Sequence, residues 1–336
     1  MAAMTTATAV VCSGVLAGPA VASETSPRSQ FPVWQVVWRG PNAGLGSVTA
    51  TGPTDAWAAG IALGARGYLL HWDGRRWRTR AVPATGMLPL VVRASSPSNV
   101  WVFGPYRGSG AAFRWDGSRW HQTTLGAAGG FGEAAVLGPS DVWFATPDCS
   151  SGAVCPAYHW NGSSWAKVTL PRRFVLTGLS GSSPRNIWAA GYLQARPGVF
   201  QGPVAAYRWR NGSWSAVRLP RQSGSRVSVA AVAPSNVWIV MGLTARPRPL
   251  HWNGTRWQRL PSPPQAISVI PPIAPFGRNG IRVGATALWN GRSWQFGPSL
   301  PDGWDMASIP GTASAWMVGA WPAPQTGLTA EVRLSR

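Results

Sequence analysis

Six times along this chain two tryptophans stand five residues apart around a short polar turn, first as Trp72-Asp73-Gly74-Arg75-Arg76-Trp77. The other copies are Trp115/Trp120, Trp160/Trp165, Trp209/Trp214, Trp252/Trp257 and Trp289/Trp294, each with Asp-Gly or Asn-Gly inside the turn. Asn-Gly and Asp-Gly favour positive φ, so a strand ending in the first Trp folds straight back into a strand carrying the second. With a two-residue or a four-residue turn alike, the indoles share one face, where rings touch across strands.

A second signal precedes each hairpin. Ser96-Pro97-Ser98-Asn99-Val100-Trp101 has related stretches leading into Trp57, Trp143, Trp188 and Trp238, with a shorter one before Trp316. Pro presets φ at the second turn position, and Asp or Asn later in the turn bonds its own backbone, so a strand should follow. The unit reads as strand a, Ser-Pro turn, strand b with one Trp, variable connection, strand c, Asn-Gly turn, strand d. A self-similar four-strand unit of this length is the signature of a propeller blade. No segment sustains a helical period, and the expectation is an all-β chain.

The spacing from a strand-d Trp to the next strand-b position is 22 to 24 residues throughout, with Ile281 replacing Trp in the sixth unit. The seventh unit, beginning near Met306, runs out at Glu331-Val332-Arg333-Leu334 with no strand d after it. Trp34-Gln35-Val36-Val37 matches Trp165-Ala166-Lys167-Val168 and precedes Trp57 by the same interval. The N-terminal strand should therefore close a seven-bladed ring of four-stranded antiparallel blades and remove the exposed edges of an open array.

The repeats resemble kelch and galactose-oxidase-like propellers, in particular the Trp-rich secreted propellers of actinobacteria, over residues 33 to 336. That resemblance implies a seven-bladed β-propeller. The Gly-Gly doublet of kelch strand b is missing, His71-Trp72-Asp73 is a hairpin rather than a tryptophan-aspartate repeat, and Trp-Asp-Gly does not fit a sialidase-type Asp box.

Residues 1 to 22 carry no charge and end in Ala20-Val21-Ala22, a small-x-small site, which reads as a secretory signal. Its missing basic start leaves two alternatives, a misassigned start codon or an uncleaved anchor. Residues 23 to 32 read as a disordered lead-in, and export places the mature protein outside the cell. Cys149 and Cys155, close together in blade three, then suggest a disulfide. The formal charge is +20, and Lys167 is the one lysine among 30 basic residues, a bias that GC-rich coding explains as well as selection does. A field of this sign still draws anionic polymers.

Chemistry is thin. His71, His159 and His251 occupy one repeat position and His121 follows a strand-d Trp, so no histidines remain for a metal cluster, and neither metal nor cofactor is expected. Asp55, Asp73, Asp116 and Asp141 read as turn residues. Glu133, Asp148, Asp302 and Asp305 remain, and a glycosidase needs two carboxylates about 5–10 Å apart, one with a raised pKa. Solvated turn is the plainer reading of Asp302 and Asp305.

All length variation lies between strands b and c, from 8 to 21 residues; in the propellers this chain resembles, those connections share a face with the d–a connections, so function is expected there. Three tryptophans fall outside the template: Trp38, Trp304 and Trp321. With Tyr106, Arg107, Tyr192, Arg196, Arg246 and Arg248 they form the expected binding set, indoles for stacking and arginines for acidic groups. The expectation is a monomeric, secreted, non-enzymatic binder of an anionic or glycan polymer or a protein. The alternative is a glycan-active hydrolase or lyase using the four loop carboxylates; export and dispersed arginines argue against nucleic acid.

Overall fold

The structure, a computed structural model, describes residues 31, 33–125, 132–146, 156–196, 198–242, 249–263, 272–298, 300, 303–323 and 327–335. Cys149, Cys155, Asp148, Asp302, Arg246 and Arg248 lie outside these residues, as does the proposed signal. The described secondary structure is all β.

Strand β1 (Trp34–Pro41) comes first. Blade 1 is β2 (Ala43–Gly52), β3 (Asp55–Ala62), β4 (Arg66–Trp72) and β5 (Trp77–Arg80). Blade 2 is β6 (Val91–Ser96), β7 (Asn99–Tyr106), β8 (Ser109–Trp115) and β9 (Trp120–Thr124). Blade 3 is β10 (Glu133–Gly138), β11 (Asp141–Ala145), β12 (Pro156–Trp160) and β13 (Trp165–Thr169). Blade 4 is β14 (Phe174–Ser183), β15 (Asn186–Leu193), β16 (Gly202–Arg210) and β17 (Ser213–Val217), with the short β18 (Ser223–Gly224) also paired to β16. Blade 5 is β19 (Val227–Ala233), β20 (Asn236–Met241), β21 (Leu250–Trp252) and β22 (Trp257–Arg259). Blade 6 is β23 (Ile273–Phe276), β24 (Gly280–Val283), β25 (Ala287–Trp289) and β26 (Trp294–Phe296). Blade 7 is β27 (Asp305–Ser308), β28 (Ala315–Ala323) and β29 (Gly327–Ser335), completed by β1, which pairs antiparallel with β29 from Trp34↔Ser335 to Pro41↔Thr329. The ring is thus closed by strands from both ends of the described chain.

In each hairpin the two tryptophans are directly opposite, as in Trp72↔Trp77 and Trp115↔Trp120. The loop is four residues in blades 1, 2, 3, 5 and 6, and it has one mechanism: Asp73 Oδ1 accepts from the Arg75 and Arg76 amides, both at 2.9 Å, while Gly74 takes φ 89°. Asp116, Asn161, Asn253 and Asn290 repeat it. Blade 4 departs, because Asn211 (φ 49°) and Gly212 (φ 77°) form a two-residue turn with Arg210 paired to Ser213, the geometry of a type I′ hairpin.

The interfaces between blades are built from indole. Trp316 of blade 7 lies 5.1 Å from both Trp72 and Trp77 of blade 1. Trp57 of blade 1 meets Trp115 and Trp120 of blade 2, Trp101 meets Trp160 and Trp165, and Trp143 meets Trp209 and Trp214, at centroid distances of 4.9–6.3 Å. In blades 7, 1, 2 and 3 the strand-b Trp therefore wedges against the hairpin pair of the following blade, and Trp188 of blade 4 meets Trp257 of blade 5 edge-on at 5.8 Å. Three of the strand-b tryptophans are also covered from within their own blade: His71, His159 and His251 stack on Trp57, Trp143 and Trp238 at 4.3, 4.3 and 3.9 Å. Each ring is tethered by Asp55 (2.8 Å), Asp141 (2.8 Å) or Asn236 (3.0 Å). Asp55 and Asp141 are accordingly the first residues of strands b and hold the histidines, rather than solvated turn residues.

The junction of blades 6 and 7 lacks a tryptophan in strand b, since Ile281 stands there, and blade 7 has no hairpin pair. Trp34, Met306, Met317, Trp321 and small alanines pack it instead, and the Trp34 indole donates to Ala285 O at 2.8 Å. A protein shortened by residues 33 to 38 loses that anchor and the Trp34-to-Trp38 half of the β1–β29 ladder. It should be several kcal/mol less stable, read as a lower denaturation midpoint; an unchanged midpoint would show that β1 does not close the ring.

Candidate functional site

Alternating strand directions put the d–a and b–c connections at one end of the ring and the a–b and c–d turns at the other. The seven a strands pack side by side around the axis, β2 against β6, β6 against β10, and so on to β27 against β2. Residues at the start of each a strand therefore line the axial mouth on the b–c side. At the register height two residues past the strand-b position stand Ser47 (opposite Ala59), Val91, Glu133 (opposite Ala145), Gly178, Ser228, Ile273 and Asp305 (opposite Val318).

Two of those residues are carboxylates, and an arginine from β6 bonds one of them. Arg93 Nη1 donates to Asp305 Oδ2 at 2.9 Å and to Ser47 Oγ at 2.7 Å, joining blades 2, 7 and 1. Asp305 Oδ2 also accepts the Val48 amide at 3.0 Å, and its Oδ1 accepts the Met306 amide at 2.9 Å. Asp305 is thus a strand residue in a saturated network, not part of a solvated turn.

Glu133 is different. Its carboxyl makes no hydrogen bond among the described residues, and burial pushes its pKa up to about 7 against the attraction of Arg93 and Arg226, with Asp305 adding to the rise. Its side chain is half-buried: ringed by protein, yet still touched by water at the mouth. Arg226, exposed just before β19, faces the same space, and it also pulls against the burial that raises the Tyr192 hydroxyl. Charged groups from blades 2, 3, 5 and 7 therefore converge.

Beside the mouth the surface turns apolar. Trp304, immediately before Asp305, is 55% exposed and lies on Gly44, where an added Cβ would stand 2.9 Å from the ring, and beside Ala320. Asn42, in left-handed backbone (φ 54°), donates its amide to Leu328 O and accepts the Leu63 amide, which brings Leu63 (67% exposed) and Leu328 (50%) together. Solvent-facing Trp, Leu and Leu on one rim are more than scattered surface apolarity.

The other expected binding residues are placed as follows. Trp38 lies within β1, half-buried against Tyr68 at 5.8 Å. Tyr106 ends β7, its ring on Phe113, with the Arg107 guanidinium 5.1 Å above it. Arg196 is exposed in the blade 4 connection. Tyr192 and Trp321 are buried, at 3% and 6%, because β15 and β28 run on past the expected connection; the Arg333 guanidinium covers Trp321 at 4.3 Å. Their rings are not free platforms in this conformation. Sequence reasoning passed over Arg93, Arg226, Leu63 and Leu328; register counted from the strand-b Trp is the signal that would have put Glu133 and Asp305 at one height.

No protein-family model matches the chain, and no curated protein matches it. Solved propellers do. The structure of YCF48 bound to D1 peptide is 18% identical over 90% of this chain and 95% of that one, with a TM-score of 0.60. The RRP9 WD40 repeats are 13% identical over 91% and 99%, at 0.63. The six-bladed fucose-recognising lectin of Aleuria aurantia is 15% identical over 77% and 96%, at 0.51. At these identities the likeness is one of fold, and it is not to kelch propellers in particular.

Glu133 keeps a proton in the folded state up to pH about 7, whereas an unfolded Glu releases it near 4.5. The native state thus binds more protons between those values, and stability falls as pH rises through that window, by at most about 1.4 kcal/mol per unit. Glu133→Gln, which cannot ionise, should match the wild type at pH 4.5 and melt higher than it at pH 8. A difference independent of pH would contradict this assignment.

Proposed function

We propose that this chain is a secreted, non-enzymatic binding propeller that receives an anionic or hydroxyl-rich polymer at the axial mouth on its b–c face. The observation carrying this reading is the juxtaposition of a convergent charged cluster, Arg93, Arg226, Glu133 and Asp305, with the exposed Trp304 beside it. An indole offers a flat apolar face to a sugar ring, and guanidinium groups offer forked donors to acidic substituents. Delivery by residues 1 to 22 and kinship with Trp-rich, kelch-like actinobacterial propellers belong to the same proposal. A propeller lectin that recognises fucose and a propeller bound to a peptide support binding as a use of this architecture, and make a protein the alternative occupant.

One observation favours an enzyme as the second reading. Glu133, held protonated near neutrality beside Asp305, has the proton of a general acid. Release of new reducing or unsaturated sugar ends from a bound polymer would select that reading.

A glycan array and cell-wall pull-down identify the polymer, and Trp304→Ala then tests the face. The variant should melt within a few degrees of the wild type, because the ring is more than half exposed, and bind roughly tenfold more weakly for the loss of one stacking contact. Undiminished affinity would put the ligand elsewhere.

A further inference from the structure

The axial cluster has an imbalance that the binding reading alone does not use. Arg93 spends Nη1 on Asp305, Ser47 Oγ and the carbonyls of Val48 and Val92. Asp305 is saturated by Arg93, Ser47 and two backbone amides. Among the described residues, Glu133 and Arg226 are left without such partners, and they face the same space. Among the described residues, the charged groups around Glu133 are Arg93 from β6, Asp305 from β27 and Arg226 from the segment before β19; β14, packed on β10, carries no titratable side chain, and the one on β11, Asp141, sits at the far end of β10 bonded to Trp143 and His159. With Glu133 neutral, two guanidinium groups stand against one carboxylate; with Glu133 ionised, the balance is zero.

We propose that the axial mouth is a seat for the carboxylate of an acidic sugar, and that this carboxylate enters only as Glu133 takes up a proton. The proposal rests on the reading of this face as the binding face. The incoming carboxylate and an ionised Glu133 compete for the same arginines, since like charges sharing one site disfavour each other's ionised form. Once protonated, Glu133 has an O–H to donate to the ligand's carboxylate oxygen, and Arg226 supplies the exposed cation. Bound state and free state differ by one proton on Glu133 and by no covalent change. Trp304, adjacent in sequence to Asp305, is placed to carry the ring that bears the carboxylate.

The chain contains three glutamates, Glu24, Glu133 and Glu331, so glutamate labelled with 13C at the carboxyl reads Glu133 directly. The probes are a galacturonate oligomer and its full methyl ester. Reciprocity requires that an oligomer sensitive to the Glu133 proton should raise the Glu133 titration midpoint when bound, here by a unit or more. The same linkage makes oligomer affinity fall by nearly tenfold per pH unit above the free midpoint. Glu133→Gln should flatten that profile. Arg226→Ala, at an exposed position where folding is not at stake, should weaken the oligomer and leave the ester unchanged. Equal, pH-independent binding of acid and ester, with an unmoved Glu133 signal, overturns this proposal while leaving the binding face standing. Binding by neither overturns both, and linkage seen only with a poly-glutamate peptide overturns the choice of a sugar.

Discussion

The wedge of one strand-b tryptophan against two hairpin tryptophans of the next blade is the contact from which the ring is assembled. A buried indole removes 150–250 Å² from water, worth about 4–6 kcal/mol before entropy as an upper bound, and inclined aromatic pairs add about 0.5–1.5 kcal/mol each. The contact is one-directional: blade 7 presses on blade 1, 1 on 2, 2 on 3 and 3 on 4, so correct angular spacing follows from repeating a single local geometry. The cost is visible in the indole N–H groups of Trp57, Trp77, Trp214, Trp238, Trp257 and Trp316, which are buried without a hydrogen-bond partner among the described residues. Ring contact has to exceed that penalty at each interface, and where an acceptor is present, as at Trp101 with Asn99 and Trp188 with Asn186, the penalty is avoided.

Because stability resides between the blades, the axis need not be apolar. Ser47 and Thr177 each bond both the amide and the carbonyl of the neighbouring inner strand, at Val92 and Val227, so polar side chains stitch the inner strands directly. Asp305, with a formal charge, accepts the amide of Val48, whose carbonyl is met instead by Arg93. This arrangement leaves the axial mouth available for charged residues that the blade interfaces do not require.

How much of this was legible follows from what repeats. Blade number, the closing role of Trp34, the hairpins and the substitution at Ile281 could all be read, because each is a departure from, or a copy of, a pattern stated six times. The histidine stations were half legible: His71, His159 and His251 recur, but their partners at Asp55, Asp141 and Asn236 lie in a different strand and look like turn residues until the strands are paired. Arg93 and Arg226 could not be found in this way. Each occurs once, in a position where the other blades carry something else, and their meeting with residues 133 and 305 depends on closure of the whole ring.

That asymmetry bears on how the site works. A symmetric ring of like charges at the axis would repel itself, so a repeat protein can carry charge there only by varying it from blade to blade. Here the variation pairs Arg93 with Asp305 so completely that the pair is structural, and it sets Glu133 at the same height with no oxygen or nitrogen to answer it among the described residues. Burial then holds a proton on Glu133 near neutrality, where an exposed glutamate would have lost it. Among the described charged groups of the axial mouth, Glu133 is thus the one whose charge is undecided near that pH, and the same burial that costs stability as Glu133 ionises is what makes its charge responsive to whatever enters.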